Sequence, residues 1–129
     1  MPQAEGRRFP FQKPNAIKSG FLETFPYKGQ RQLITYTTKE FTAVCPFSGL
    51  PDYATVVLEY IPDQRCVELK SLKYYFISFR NVGIYQEAAT DRVFRDIYAA
   101  LKPKYLMVKT MYNTRGGIDA VCVIEEGKK

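Results

Sequence analysis

The chain has 129 residues, 46% of them hydrophobic, which suits one globular domain with a modest core and speaks against a second. No apolar run approaches the roughly 18 residues of a membrane-spanning helix, and the start MPQAEGRRFP lacks an apolar signal core. The expectation is a cytoplasmic protein without a membrane partner. Lysine and arginine number 19 against 13 acidic residues, a formal charge of +6, so an anionic partner is favoured, whether phosphorylated cofactor or nucleic acid.

Residues 1–30 contain Pro2, Pro10, Pro14 and Pro26 together with Gly6, Gly20 and Gly29. That density of breakers predicts an extended N-terminal arm without regular elements, ordered against a neighbour, and leaves 31–129 as the single folded domain. Gln32–Thr38 and Tyr53–Ile61 are β-branched and aromatic and read as an antiparallel pair of strands. Between them TAVCPFSGLPD reads as a loop, because Pro46, Gly49 and Pro51 interrupt it. A short strand is expected around Cys66–Glu68. Leu69, Leu72, Phe76 and Phe79 then recur at helical spacing, Asn81-Val82-Gly83 breaks the pattern, and Val93, Phe94, Ile97, Ala100 and Leu101 mark a second helix ending at Lys102-Pro103. Strands Tyr105–Tyr112 and Ile118–Ile124 follow, joined by a turn through Gly116-Gly117. The sum is an α+β module, strands before and after two helices, with an antiparallel sheet covered on one face. Its sheet edges call for pairing with other copies, so a homo-oligomer is expected.

Three cysteines, Cys45, Cys66 and Cys122, are widely spaced without a CxxC pair, so neither a disulfide framework nor a zinc site is indicated. The chain has no histidine. That removes the usual neutral-pH base and the Cys-His pair, and any acid or base must be a carboxylate, thiol, tyrosine or lysine. No metal site is expected. Cys45 lies in the loop between two strands, seven residues before Asp52, where a reactive thiol and a proton shuttle could meet. A buried small hydrophobe and a strand-entry cap would give the same residues. Lys70 and Lys73, three apart on a helix, could hold phosphates or form a solvated basic face. Arg115 beside Gly116-Gly117 could contact an anion or be a hairpin-tip charge. Gln86-Glu87 opens the second helix. An acid there complements the helix dipole, or its carboxylate accepts paired hydrogen bonds from a guanine-like edge.

Four segments, ELKSLKYY, the Cys45-Pro46 loop with Gly49, Pro51 and Asp52, SFRN with Gln86-Glu87, and Arg115-Gly116-Gly117, occur in the order found in the QueF family, which this chain resembles from about Thr35 to Ile118. That family reduces 7-cyano-7-deazaguanine, the nitrile precursor of queuosine in tRNA, with NADPH. The resemblance implies a tunnelling fold, a ββααββ antiparallel sheet with two helices on one face, closed into a barrel by homo-oligomerisation, a decamer by family pattern. It implies that Cys45 adds to the substrate nitrile to form a thioimide while Asp52 supplies the proton, that two NADPH act in turn, and that Lys70, Lys73 and Arg115 contact the cofactor. Val67, Glu68 and Leu69 would line the deazapurine pocket, partly through backbone groups, with Gln86 and Glu87 reading the base. The chain departs from the family where many members carry histidine before that glutamate and this one has Gln86.

Three rivals stand beside this reading. A QueF-like amidinotransferase forms the same thioimide on tRNA, but its members tend to lose the lysine signature, which ELKSLK retains. A non-enzymatic nucleic-acid module is suggested by the charge and by ten tyrosines and nine phenylalanines, yet most of these fall on core stripes. Nucleic acid is therefore not expected as the direct substrate. A metal-dependent relative of the GTP cyclohydrolase kind would need histidine or clustered cysteine ligands.

Overall fold

The computed structural model describes residues 5–129, so the first four residues of the predicted arm lie outside it. Six strands and two helices follow in chain order: β1 (Thr24–Pro26), β2 (Ile34–Val44), β3 (Pro51–Ile61), β4 (Arg65–Val67), α1 (Leu69–Ile77), α2 (Gln86–Leu101), β5 (Tyr105–Arg115) and β6 (Ile118–Gly127). The main sheet is antiparallel in the order β2-β3-β5-β6, and β1 pairs with β4 in a separate two-stranded ribbon. This is an α+β fold.

Side chains alternate across the pleat. Ala54, Val56, Leu58 and Tyr60 of β3 and Leu106, Val108, Thr110 and Tyr112 of β5 are buried beneath the helices. From α2, Ala89, Val93, Phe94, Ile97 and Leu101 close the core. Two buried threonine hydroxyls, Thr90 of α2 and Thr110 of β5, meet at 2.6 Å, and Thr90 also donates to the Gln86 carbonyl. A buried hydroxyl pair is tolerated because each finds a partner. At the other end of α2, Lys102 adopts the left-handed conformation with φ 45° directly before Pro103, which ends the helix.

Several boundaries differ from the sequence expectation. β2 runs on to Val44, because an irregularity between Thr38 and Phe41 absorbs Lys39-Glu40 and restores the inward phase at Phe41 and Ala43. Pro51 and Asp52 belong to β3, Pro51 as its first residue where no ladder bond is lost. The loop thus shrinks to Cys45–Leu50. β5 and β6 extend to Arg115 and Gly127, with Gly116 (φ 59°) and Gly117 (φ 77°) forming the tight turn.

α1 is shorter and rotated. It ends at Ile77; Leu72 and Phe79 bury as expected, but Tyr75 buries in place of Leu69 and Phe76: Leu69 is 55% exposed and Phe76 half-buried. The Tyr75 hydroxyl takes the helix inward because it donates to Asp96 of α2 at 2.7 Å, and Asp96 in turn accepts from Arg92.

The expectation of no regular element before residue 30 is also corrected. Short 3-10 turns form at Pro14–Ala16 and Ser19–Phe21, and β1 pairs with β4. The segment packs on its own chain. Ile17 is buried, Ser78 Oγ accepts from the Lys18 N–H, Ser71 Oγ accepts from the Glu23 N–H, and the Glu68 N–H donates to the Glu23 carbonyl. Proline and glycine forbid long helices but not single turns and bridges zipped to serines of α1.

Candidate active site

β2 ends and β3 begins at the same end of the sheet, and β5 and the start of α2 arrive there too. A cleft of about 330 Å³ opens between these elements, lined by Cys45, Pro46, Asp52, Tyr85, Gln86, Glu87 and Arg115. Larger depressions exist, among them one of about 720 Å³ beside α1 lined by Lys18, Phe21, Tyr74 and Arg80, but no thiol or carboxylate lines that one.

Cys45 is half-buried, and its loop is a tight one: the Cys45 N–H donates to the Leu50 carbonyl and the Gly49 N–H to the Cys45 carbonyl. The Phe47 N–H points at the sulfur, 3.4 Å from Sγ. Hydrogen bonds from the Ser48 and Phe47 backbone lower the thiol below its ordinary value, with smaller help from the Ser48 side chain and the Arg115 charge and partial burial opposing. Donors aimed at a sulfur favour the thiolate, which is the nucleophilic form. Asp52, one residue into β3 and on the helix-covered face, is 9% exposed and forms an ion pair with Arg115 at the end of β5. Gln86 and Glu87 occupy the first turn of α2, where Tyr85 caps the helix without a side-chain bond.

The structure thus gathers Cys45, Asp52, Gln86, Glu87 and Arg115, and it sets the remaining candidates elsewhere. Val67, Glu68 and Leu69 follow the opposite end of β3, a strand of eleven residues that spans on the order of 35 Å. Val67 is buried and its N–H donates to the Tyr60 hydroxyl at 3.2 Å. The Glu68 carboxylate caps α1, accepting from the Ser71 N–H at 2.8 Å and the Lys70 N–H at 3.0 Å. Lys70 shares a shallow cleft with Glu68, Glu23 and Tyr74, whereas Leu69 and Lys73 face a different one against Tyr36–Thr38 of the β2 edge. Lys70 and Lys73 are both exposed, and among the described residues neither forms an ion pair. Arg115 therefore stands apart from the two lysines with which it was grouped.

Sequence reasoning missed Tyr85, 66% exposed at the mouth of the cleft, and the donors Phe47 and Ser48. Tyr85 lies outside both helical stripes, and a backbone N–H leaves no mark in a side-chain pattern. Among the described residues no group of three or more cysteine and carboxylate side chains could hold a metal, and no helix is long and apolar enough to cross a membrane.

Fold and cleft together define a small α+β protein presenting a thiol and a buried carboxyl at one end of an antiparallel sheet. A model of the QueF family, described as QueF-like protein, matches residues 51–129. The NADPH-dependent 7-cyano-7-deazaguanine reductase of Thermotoga maritima is 53% identical over 132 aligned residues, covering 100% of this chain and 96% of that protein. The protein of the same name from Caldicellulosiruptor bescii is 44% identical, covering 91% of each chain. Among solved structures, the apo form of the archaeosine synthase QueF-Like superposes with a TM-score of 0.71 at 26% identity, covering 78% of this chain and 99% of that one. The chain belongs to the QueF family.

Proposed function

We propose that this chain reduces 7-cyano-7-deazaguanine to its 7-aminomethyl product with NADPH. The observation that carries the reading is the convergence of Cys45, Asp52, Gln86 and Glu87 on one cleft, in a chain half identical to reductases of that name. The Cys45 thiolate attacks the nitrile carbon and forms a C–S bond, while a proton passes from Asp52 to the nitrogen; the product of this addition is a thioimide. Backbone donors that lower the thiol favour the thiolate, the attacking form. Glu87 accepts from the N–H edge of the base, and the Gln86 amide both donates and accepts beside it. Where relatives carry histidine, Gln86 binds but moves no proton.

When bound, NADPH supplies hydride, and full reduction of a nitrile to a primary amine takes four electrons, hence two NADPH and two protons. Lys70 and Lys73 suit its phosphates: both are exposed and unpaired among the described residues, on the first turns of α1. Arg115, held by Asp52 in the free chain, is the third contact. Val67, Glu68 and Leu69 lie far from Cys45 within one chain, which supports a site assembled between copies. The open edges β2 and β6, and exposed Ile118, Val121 and Val123, support closure of the sheet into a tunnelling-fold barrel by a homo-oligomer.

The test is NADPH consumption on adding 7-cyano-7-deazaguanine. Two NADPH oxidised per nitrile by the wild type and none by Cys45→Ala is the expected result. Nitrile bound without NADPH oxidation would point to amidine transfer instead, and no response at all would remove the enzymatic reading.

A further inference from the structure

We propose that residues Arg8–Gln12 form a strap that positions the nucleophile loop Cys45–Leu50, seated on Gly49 and Gly83. The proposal rests on the reading of Cys45 as nucleophile and adds a positioning role for a segment whose own side chains do not line the cleft.

The strap touches the loop at two points. The Phe9 N–H donates to the Ser48 carbonyl at 2.8 Å, and the Arg8 guanidinium lies 4.1 Å over the Phe47 ring. The two residues gripped, Phe47 and Ser48, are also those whose N–H groups serve the sulfur. Further along, the strap bonds to the segment that also holds the residue before Cys45. The Gln12 N–H donates to the Asn81 carbonyl at 2.7 Å and the Gly83 N–H to the Gln12 carbonyl at 2.8 Å. On its other side, Val82 accepts from the Val44 N–H at 3.0 Å and Ile84 donates to the Val44 carbonyl at 3.1 Å. Cys45 is thus flanked by two attachments to one strap.

Both seats are close enough to exclude a Cβ without movement. A Cβ on Gly49, whose φ is +76°, would lie 2.2 Å from the Phe9 carbonyl oxygen, and one on Gly83 would lie 2.3 Å from the Phe11 ring. No packed atoms approach so closely, so a side chain at Gly49 must shift the strap backbone or the loop, and one at Gly83 must displace the Phe11 ring that seats the strap. A coil merely resting on the surface needs no such clearance at both ends.

The test uses the full chain carrying Gly83→Ala, which displaces the Phe11 ring from the body side, and Phe11→Ala, which removes it from the strap side. Neither changes a charge, and the charged groups facing the sulfur, Asp52, Glu87 and Arg115 in the cleft and Arg8 over Phe47, stay in place. The readouts are the rate of Cys45 alkylation by iodoacetamide against pH, and kcat and KM for nitrile reduction. The strap predicts, in both variants, a curve moved to higher pH, alkylation about fivefold slower at pH 7, as weakening one hydrogen bond to the sulfur would give, and a fall in kcat with KM held. Should Gly83→Ala fail to fold, Phe11→Ala carries the test, since its ring is only half-buried. Curves superimposable on the wild type would overturn the strap even if the wild type forms a nitrile adduct. Shifted curves without any adduct on the wild type would keep the strap and remove the nitrile reading.

Discussion

Cys45 combines partial exposure with backbone donors that lower it; Cys66 is buried in β4, and Cys122 is half-buried in β6. At neutral pH iodoacetamide is therefore expected to modify Cys45 first, and peptide mass mapping checks the order. Because its folded-state value is depressed, the thiolate persists as pH falls below the usual thiol range, and the rate then drops about tenfold per pH unit beneath the Cys45 midpoint. Asp52 is argued to deliver a proton, which an amide of the same shape cannot do. Asp52→Asn should lower kcat by roughly a hundredfold or more, with Cys45 still open to alkylation; unchanged turnover would take Asp52 out of the chemistry. Cys45, Asp52, Gln86 and Glu87 could be singled out in the sequence by residue type, by their place beside a loop and a helix start, and by the family resemblance, but that they meet in one cleft was not readable from spacing. Nor was the contact of Arg115 with Asp52 readable, since only the pairing of β3 with β5 brings the two together.

Polar contacts add to the apolar stripes that hold the helices. Glu68 caps α1 through two backbone N–H groups, and Glu68→Ala should cost about 1 kcal/mol of stability in urea denaturation. Tyr75→Phe should cost a similar amount, about 1 kcal/mol, by leaving Asp96 with Arg92 alone. Strand and helix identities followed from alternation and helical spacing, as β3 and α2 illustrate. Boundaries failed where a long-range contact overrode the local pattern. The irregularity at Lys39-Glu40 extends β2, the Tyr75–Asp96 bond rotates α1, and serines on α1 order a proline-rich segment that reads as unstructured by itself.

Across the whole molecule, burial pushes the phenols of Tyr60, Tyr75 and Tyr112 well above their ordinary value, Tyr75 further through Asp96. A group raised on folding contributes stability that is fully present below its unfolded value of about 10 and is lost as pH rises through the folded one. Alkaline titration by phenolate absorbance should accordingly show these three ionising only as the chain unfolds. The same core fixes the end of the sheet on which Cys45 and Asp52 converge, and the central claim is that this convergence is a covalent site. Its most direct test is the intact mass of the protein after incubation with 7-cyano-7-deazaguanine in the absence of NADPH. Addition without a leaving group predicts a gain equal to the mass of the whole nitrile, mapped to Cys45 and missing in Cys45→Ala. No gain, or a gain mapped to Cys66 or Cys122, would contradict it.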